Sequence, residues 1–218
     1  MSTAESTRIG RPRSTPSASV GTAREEILDA AAALFAERGY AGTSTRAIAE
    51  RVGIRQASLY YHFAGKDEIL LDLLEISVRP SLDVVDRLRD AGDPAAALYA
   101  LAAVDVDTLA AAPHNIGSLY FAHEVDEPRF DSFRRHRAQL QQGYAELARA
   151  VDPDGDAAFL GACCMQLVEM VIPLRRDAEI GSGTADAIAR ACLRLVGADP
   201  SAATGGARLL EQLLTDRG

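Results

Sequence analysis

The chain has 218 residues, of which 48% are hydrophobic and 6% aromatic, with no Trp. It is therefore long enough for one large or two modest domains with a mainly aliphatic core. The three cysteines are odd in number and two of them are adjacent, which argues against a disulfide framework and favours a reduced, cytoplasmic setting. Residues 1–21 lack the apolar stretch of a signal peptide. The longest apolar run, 157–173, carries Gln166 and Glu169, so we expect a buried helix there and no membrane partner.

The net charge of −8 is unevenly distributed along the chain. Residues 1–66 carry nine basic and six acidic residues, a net charge of +3, which leaves −11 on the remainder. A cationic front on an acidic body is typical of a protein that touches nucleic acid with one end only.

Residues 1–21 are rich in Ser, Thr, Pro, Gly and Arg, and we expect a disordered basic arm. Within it, Gly10-Arg11-Pro12-Arg13 resembles an AT-hook, in which Arg11 and Arg13 would enter the A·T minor groove. The alternative is an ordinary basic tail that contacts phosphates without sequence preference.

The first helix is predicted to begin after Thr22, because Thr22 and Glu25 have the spacing of a capping box. Apolar residues follow at helical intervals, and Gly39 supplies the stop signal. A short second helix is expected from about Ser44 to Arg51, capped by Thr43. Gly53 then permits a left-handed turn into a third helix.

The third helix has two chemically different faces. Leu59 and Phe63 lie four residues apart and should point inward together. At 100° per residue, the opposite face and its flanks then carry Gln56, Ala57, Ser58, Tyr60, Tyr61 and His62. Two short helices joined by a Gly-containing turn, with such a polar outer face, predict a helix-turn-helix that reads the major groove.

The outward residues suit DNA. Gln56 can bind adenine in bidentate fashion, and the small Ala57 allows close approach and contact with a thymine methyl. Hydroxyl and imidazole groups donate to phosphates, and Thr45 and Arg46 would meet the neighbouring backbone. Lys66 is placed at a helix N-terminus, where phosphate is favoured. The alternative is a helical subdomain with an accidentally polar surface.

Residues 22–74 resemble the N-terminal domain of the TetR family. The stretches that carry the resemblance are Ala33–Tyr40, Thr43–Ala49, Val52–Ile54 and Ser58–Lys66. The resemblance implies DNA contacts by Thr45, Gln56, Ala57, Ser58, Tyr60, Tyr61, His62 and Lys66. Arg55 departs from the pattern, since the family often has Ser as the N-cap there. We expect a weaker cap, with Arg55 either contacting phosphate or guanine or remaining solvated.

A long helix is predicted to begin at Lys66, after Gly65, with Pro80 kinking or dividing it. Further helices are expected at 94–111, 114–123, 128–151, 155–176, 184–197 and 202–215, without period-two alternation. The sequence thus predicts an all-α protein with a disordered arm at 1–21, a helix-turn-helix domain at 22–70 and a helical effector-binding and dimerisation domain at 71–218. No flexible linker is expected between the last two.

The resemblance implies a ligand pocket in the middle helices and a four-helix dimer interface. The stretch Phe159–Ile172 is apolar nearly all round, so one side could face the pocket and the other a second subunit. Helix 184–197 is the second candidate for the dimer interface, through Ile188, Ala191, Cys192, Leu195 and Val196. The pocket candidates are Tyr120, His123, Phe159, Met165, Gln166, Glu169 and Met170, for a small apolar or amphipathic effector. Each has a structural alternative. For Glu169 this is an exposed position or an ion pair with Arg175 or Arg176, and for the methionines it is plain core.

No catalytic, metal or cofactor site is expected. The four His residues show no ligand spacing with one another or with Cys, and phosphate loops and nucleophile elbows are missing. The resulting hypothesis is a homodimeric repressor that binds a palindromic double-stranded operator and is released by a small molecule. Alternatives are a helical scaffold protein, an enzyme without a recognisable motif, or a DNA-binding protein without an effector.

Overall fold

The computed structural model describes residues 22–120, 122–177 and 180–215, and those residues form helices and turns without any strand. The all-α prediction is confirmed. The helices are α1 Ala23–Arg38, α2 Thr45–Val52, α3 Gln56–His62, α4 Lys66–Arg89, α5 Pro94–Ala111, α6 Asp131–Val151, α7 Ala157–Glu169, α8 Val171–Asp177, α9 Thr184–Leu195 and α10 Ala202–Thr215. The basic arm, with Arg11 and Arg13, lies outside the described residues.

Local sequence signals set the ends of the first helices. Thr22 and Glu25 form the predicted capping box, and Gly53 adopts the left-handed conformation with φ of 80°. The predicted cap of α2 is wrong, because Ser44, not Thr43, accepts from the Ala47 amide at 3.1 Å. Thr43 is instead buried, and its hydroxyl donates to the carbonyls at the end of α1 and at Gly39.

Helix α4 is continuous through Pro80, so the proline does not divide it. Pro80 removes the amide that would bond to the carbonyl of Ile76. The Ile76 side chain is half exposed, so this part of the helix faces water and the missing bond costs little. The single helix therefore runs from the three short N-terminal helices into the rest of the protein.

Helix α5 is the centre of the larger half and packs against α4, α6, α9 and α10. Asp105 of α5 is buried, and its carboxylate accepts hydrogen bonds from Ser81 of α4 at 2.8 Å and from Tyr144 of α6 at 3.0 Å. Burial raises the pKa of Asp105 to about 6, although both hydrogen bonds oppose that shift. The carboxyl group thus ties three helices together.

Three predicted helices have different boundaries in the structure. The segment predicted as one helix over 114–123 is a 3₁₀ turn at Pro113–Leu119 followed by another at His123–Asp126. His114 and Asn115 in the first turn have φ of 48° and 54°, which prevents a regular α-helix. Helix 155–176 is split at Met170 into α7 and α8, and 128–151 begins with a 3₁₀ turn before α6.

Within the described part of the chain, two stretches are long and apolar enough to cross a membrane by length and composition. In Pro94–Ala111, 67% of the stretch is buried inside the protein, whereas in Ala157–Arg176 only 44% is buried. The first is thus explained by its central place in the core. The second leaves an apolar surface on the outside of the subunit.

Candidate nucleic-acid interface

Helix α3 has the predicted inward and outward faces. Leu59 and Phe63 are 0% and 1% exposed, whereas Tyr61 is 88% exposed. His62 is half-buried and stacks edge-on against Tyr61. The other outward positions are also exposed, namely Gln56, Ala57, Ser58 and Tyr60. The structure therefore gathers the predicted outward residues of α3 on one accessible surface.

Thr45, Gln56 and Tyr60 form a hydrogen-bonded cluster between the start of α2 and α3. The Gln56 amide nitrogen donates to Thr45 Oγ1 at 2.9 Å and lies 3.4 Å from the Tyr60 hydroxyl. The two hydroxyl groups are 3.1 Å apart. The cluster holds the amide of Gln56 in one orientation at the surface, with its carbonyl oxygen left for a further acceptor role.

Two arginines flank this surface, and they differ in whether they form an ion pair. Arg46 forms an exposed ion pair with Glu50, which raises the pKa of the guanidinium group. Arg55 is exposed and makes no side-chain cap to α3, as expected. Arg55 has no ion-pair partner among the described residues, so its charge is available at this face.

Lys66 is directed into the protein rather than toward solvent. Its ammonium donates to the carbonyls of Tyr40 at 2.8 Å and Thr43 at 2.9 Å, and lies 4.0 Å from the centre of the Tyr40 ring. Burial lowers the pKa of Lys66, partly opposed by the charge of Glu124. Lys66 thereby fixes the loop between α1 and α2 against the first turn of α4.

A second candidate site is a cavity of about 480 Å³ between α6, α7 and the 3₁₀ turns. Among the predicted pocket residues, Tyr120, Met165 and Gln166 line it. Sequence reasoning missed Arg134 and Arg137, which also line it. Their spacing of three residues on one helix face beside the apolar Phe133 is the signal that could have identified them.

The remaining predicted pocket residues do not line this cavity. His123 is exposed, and Phe159 and Met170 are 62% and 48% exposed on the outer side of α7. Met170 and Glu169 line a separate groove of about 340 Å³. Glu169 is buried and pairs with Arg137, so neither an exposed position nor an ion pair with Arg175 or Arg176 describes it.

The outer face of α9 also differs from the prediction. Ile188, Cys192 and Val196 are buried inside the subunit, so they cannot form an outer surface. Ala191 is partly exposed and Leu195 is 37% exposed. Helix α9 has a strong apolar side, and that side packs on α5 and α7.

Comparison with known proteins shows which family has this architecture. The profile described as "Bacterial regulatory proteins, tetR family" matches residues 27–73. The crystal structure of Mycobacterium smegmatis AmtR is 41% identical, with a TM-score of 0.81 over 89% of this chain and 98% of that one.

Curated relatives match the N-terminal region of the chain, among them two named repressors. The HTH-type transcriptional repressor KstR2 of Mycobacterium tuberculosis is 51% identical over 55 residues, which are 25% of this chain and 28% of the relative. The negative transcriptional regulator IcaR of Staphylococcus epidermidis is 39% identical over 67 residues, 31% of this chain and 36% of that protein. These curated matches thus span about a third or less of either relative. Together with the match to AmtR along nearly its whole length, these findings show that the chain is a transcriptional regulator of the TetR family.

Proposed function

We propose that this regulator represses transcription as a homodimer bound to a palindromic operator, and that a small molecule releases it. Residues 22–70 form the DNA-binding domain and residues 71–218 the effector-binding and dimerisation domain. The observation that carries the proposal is the exposed outer face of α3, supported from behind by the buried Leu59 and Phe63.

In the bound state, Gln56, Ala57 and Tyr61 of α3 enter the major groove. The Thr45 and Tyr60 hydroxyl groups hold the Gln56 amide nitrogen before DNA is present, so the carbonyl oxygen is already oriented to accept from the amino group of adenine. The remaining contacts are to phosphates and come from Ser58, His62, Arg46 and Arg55. Lys66 acts by positioning the loop between α1 and α2.

Dimerisation is proposed through α7 and α8, together with Ala191 and Leu195, the predicted interface residues of α9 that remain at least partly exposed. Phe159, Met170 and Leu174 are 62%, 48% and 42% exposed and follow one side of α7 and α8. Large apolar side chains at such spacing mark a surface that another subunit covers. Two such subunits would present their recognition helices ~34–36 Å apart, in successive major grooves.

The effector is proposed to bind the cavity beside Tyr120. The Tyr120 hydroxyl lies 2.7 Å from that of Ser77 in α4, so a ligand that moves Tyr120 acts on the helix that carries the DNA-binding half. Because coupling between two sites is reciprocal, effector and operator should weaken each other's binding.

The proposal is tested by selecting genomic DNA fragments on the full-length protein and footprinting the strongest ones. We expect a palindrome with half-sites one helical turn apart, and loss of binding in Gln56→Ala. A footprint without twofold symmetry contradicts the dimer, and no preference over random DNA contradicts the operator. Small compounds that raise the melting temperature are then titrated against the DNA complex, where simultaneous binding without antagonism contradicts effector release.

A further inference from the structure

One side of the cavity beside Tyr120 carries two arginines, each paired with a carboxylate of the protein, Arg134 with Asp131 and Arg137 with Glu169. Arg134 and Arg137 lie one turn apart on α6, and both line it. Among the residues that the structure describes, Asp126 is the one acidic side chain that lines it, and it is exposed. The volume of about 480 Å³ is within the usual range for small-molecule sites.

The rest of the cavity wall combines apolar side chains with the amides of Gln141 and Gln166. Tyr120, Phe133 and Met165 are all buried, and each contributes to the lining. The guanidinium group of Arg137 lies 4.9 Å from the centre of the Tyr120 ring. A ligand with an anionic group at one end and an apolar body fits such a wall better than a cation or a wholly polar molecule.

Arg137 is already bound to a carboxylate of the protein itself. Glu169 pairs with Arg137, and its second oxygen accepts from the Gln166 amide at 2.9 Å. Gln166 and Arg137 line the cavity, whereas Glu169 lines the neighbouring groove. Arg137 thus connects a buried internal carboxylate to a space that is open to a ligand.

We propose that this cavity binds a small amphipathic carboxylate, whose anionic group takes the place of Glu169 on Arg137. The proposal rests on the effector-controlled function proposed above and names the chemical class of the effector. Exchange of one carboxylate for another keeps the arginine paired, and the planar guanidinium group suits a bidentate carboxylate. The displaced Glu169 would remain at the neighbouring groove, which Arg176 also lines.

The first test is isothermal titration calorimetry on the full-length protein with octanoate and phenylacetate, each compared with its primary amide. The acid and the amide have nearly the same shape, so their difference reports the charge. We expect each acid to bind at least about tenfold more tightly than its amide. Equal affinities, or tighter binding of the amides, overturn the proposal, as does the failure of both acids to bind at millimolar concentration.

The second test uses variants with opposite expected signs. Arg137→Gln should weaken acid binding about tenfold and leave amide binding unchanged. Glu169→Gln should strengthen acid binding, because it removes the internal competitor. Arg135→Gln, an exposed position on the same helix, is the matched control and should change neither. Unchanged or weaker acid binding in Glu169→Gln overturns the exchange.

Arg137→Gln leaves the buried Glu169 without this partner and could impair folding. The double variant Arg137→Gln/Glu169→Gln removes both charges together, and it should fold and bind acid and amide equally. If the double variant still prefers the acids, the carboxylate does not bind at Arg137. Operator binding of the unliganded protein is measured in parallel, so a protein that binds its operator but not the acids contradicts only this inference.

Discussion

Arg129 forms an ion pair with Asp67, which joins the turn before α6 to the first turn of α4. The other oxygen of Asp67 accepts from the Tyr40 hydroxyl, next to the loop that Lys66 fixes. The 3₁₀ turn at His123–Asp126 precedes Arg129 and supplies part of the cavity wall. The cavity wall is therefore connected to the start of α4 and to Tyr40 through this turn and the contacts of Arg129 and Asp67.

Arg129→Gln should loosen this connection without unfolding the protein. Both partners are more than a third exposed, so we expect a stability loss below about 1 kcal/mol. Amide hydrogen exchange should become faster in the first turn of α4 and in the loop after Tyr40. Arg135→Gln is the control. Unchanged exchange in that turn would show that the ion pair does not hold it.

The two faces of α3 should separate folding from DNA binding. Leu59→Ala removes a fully buried side chain and should cost about 2–5 kcal/mol of stability, measured by denaturant unfolding. Tyr61→Ala removes a side chain that is 88% exposed. It should leave the unfolding midpoint unchanged and weaken operator binding at least about tenfold. Strong operator binding by a stable Tyr61→Ala protein would contradict the proposed interface.

Lys66 and Arg55 should affect DNA binding in different ways. Lys66→Met loses two hydrogen bonds to the loop carbonyls and should lower stability by about 1–3 kcal/mol, with little change in the salt slope of operator binding. Arg55→Gln should leave stability unchanged and reduce that slope by about one. If the salt slope is reduced in Lys66→Met and unchanged in Arg55→Gln, then Lys66 contacts phosphate and Arg55 does not, which contradicts the two assigned roles.

The buried Asp105 should make stability depend on pH. Its pKa in the folded protein is raised to about 6, so the folded state holds a proton that the unfolded state releases from about pH 4 upward. This group therefore contributes about 2–3 kcal/mol to the free energy of unfolding at low pH. The contribution is lost as pH rises from about 4 to about 6, and above that range the stability no longer changes through this group.

Asp105→Asn should remove this dependence. The variant should unfold at a higher temperature than the original protein at neutral pH, and the difference should shrink toward pH 4. Ser81→Ala is a useful comparison, because it removes a hydrogen bond to the carboxylate but keeps the carboxyl group and hence its titration. A pH profile that is the same with and without the Asp105 carboxyl would mean that another group controls it.

The outer side of α7 should control the oligomeric state. Phe159→Glu places a charge on the proposed dimer surface and should yield monomers in analytical ultracentrifugation, with weaker operator binding. Leu214→Glu changes an equally exposed leucine of α10, and it should leave the dimer intact. Dimers of Phe159→Glu, or monomers of Leu214→Glu, would place the interface elsewhere.

The sequence predicted the DNA-binding half well because its signals are local. Capping residues, glycines at special backbone positions and a short amphipathic helix determine their structure within a few residues. Even there Thr43 was assigned the wrong role, since its hydroxyl bonds to α1 through the tertiary fold. The inward direction of Lys66 was not foreseeable either, because it depends on where the Tyr40 loop lies.

The larger half was predicted only as a set of helices. On α7, apolar residues occupy nearly every side, so periodicity could not separate Met165, which lines the cavity, from Phe159, which is exposed. The pairing of Glu169 with Arg137 joins residues 32 positions apart, and helical spacing carries no information about such contacts. Only the packing of α6 on α7 reveals it.

The unbroken course of α4 has a mechanical consequence. Its 24 residues form a rod about 36 Å long. If the rod tilts by about 5° about its Arg89 end, the tip near Lys66 travels about 3 Å, which is close to the ~3.4 Å spacing of stacked base pairs along one strand. A ligand therefore needs to cause only a small movement of α4 to shift the two recognition helices of a dimer out of register with the major grooves.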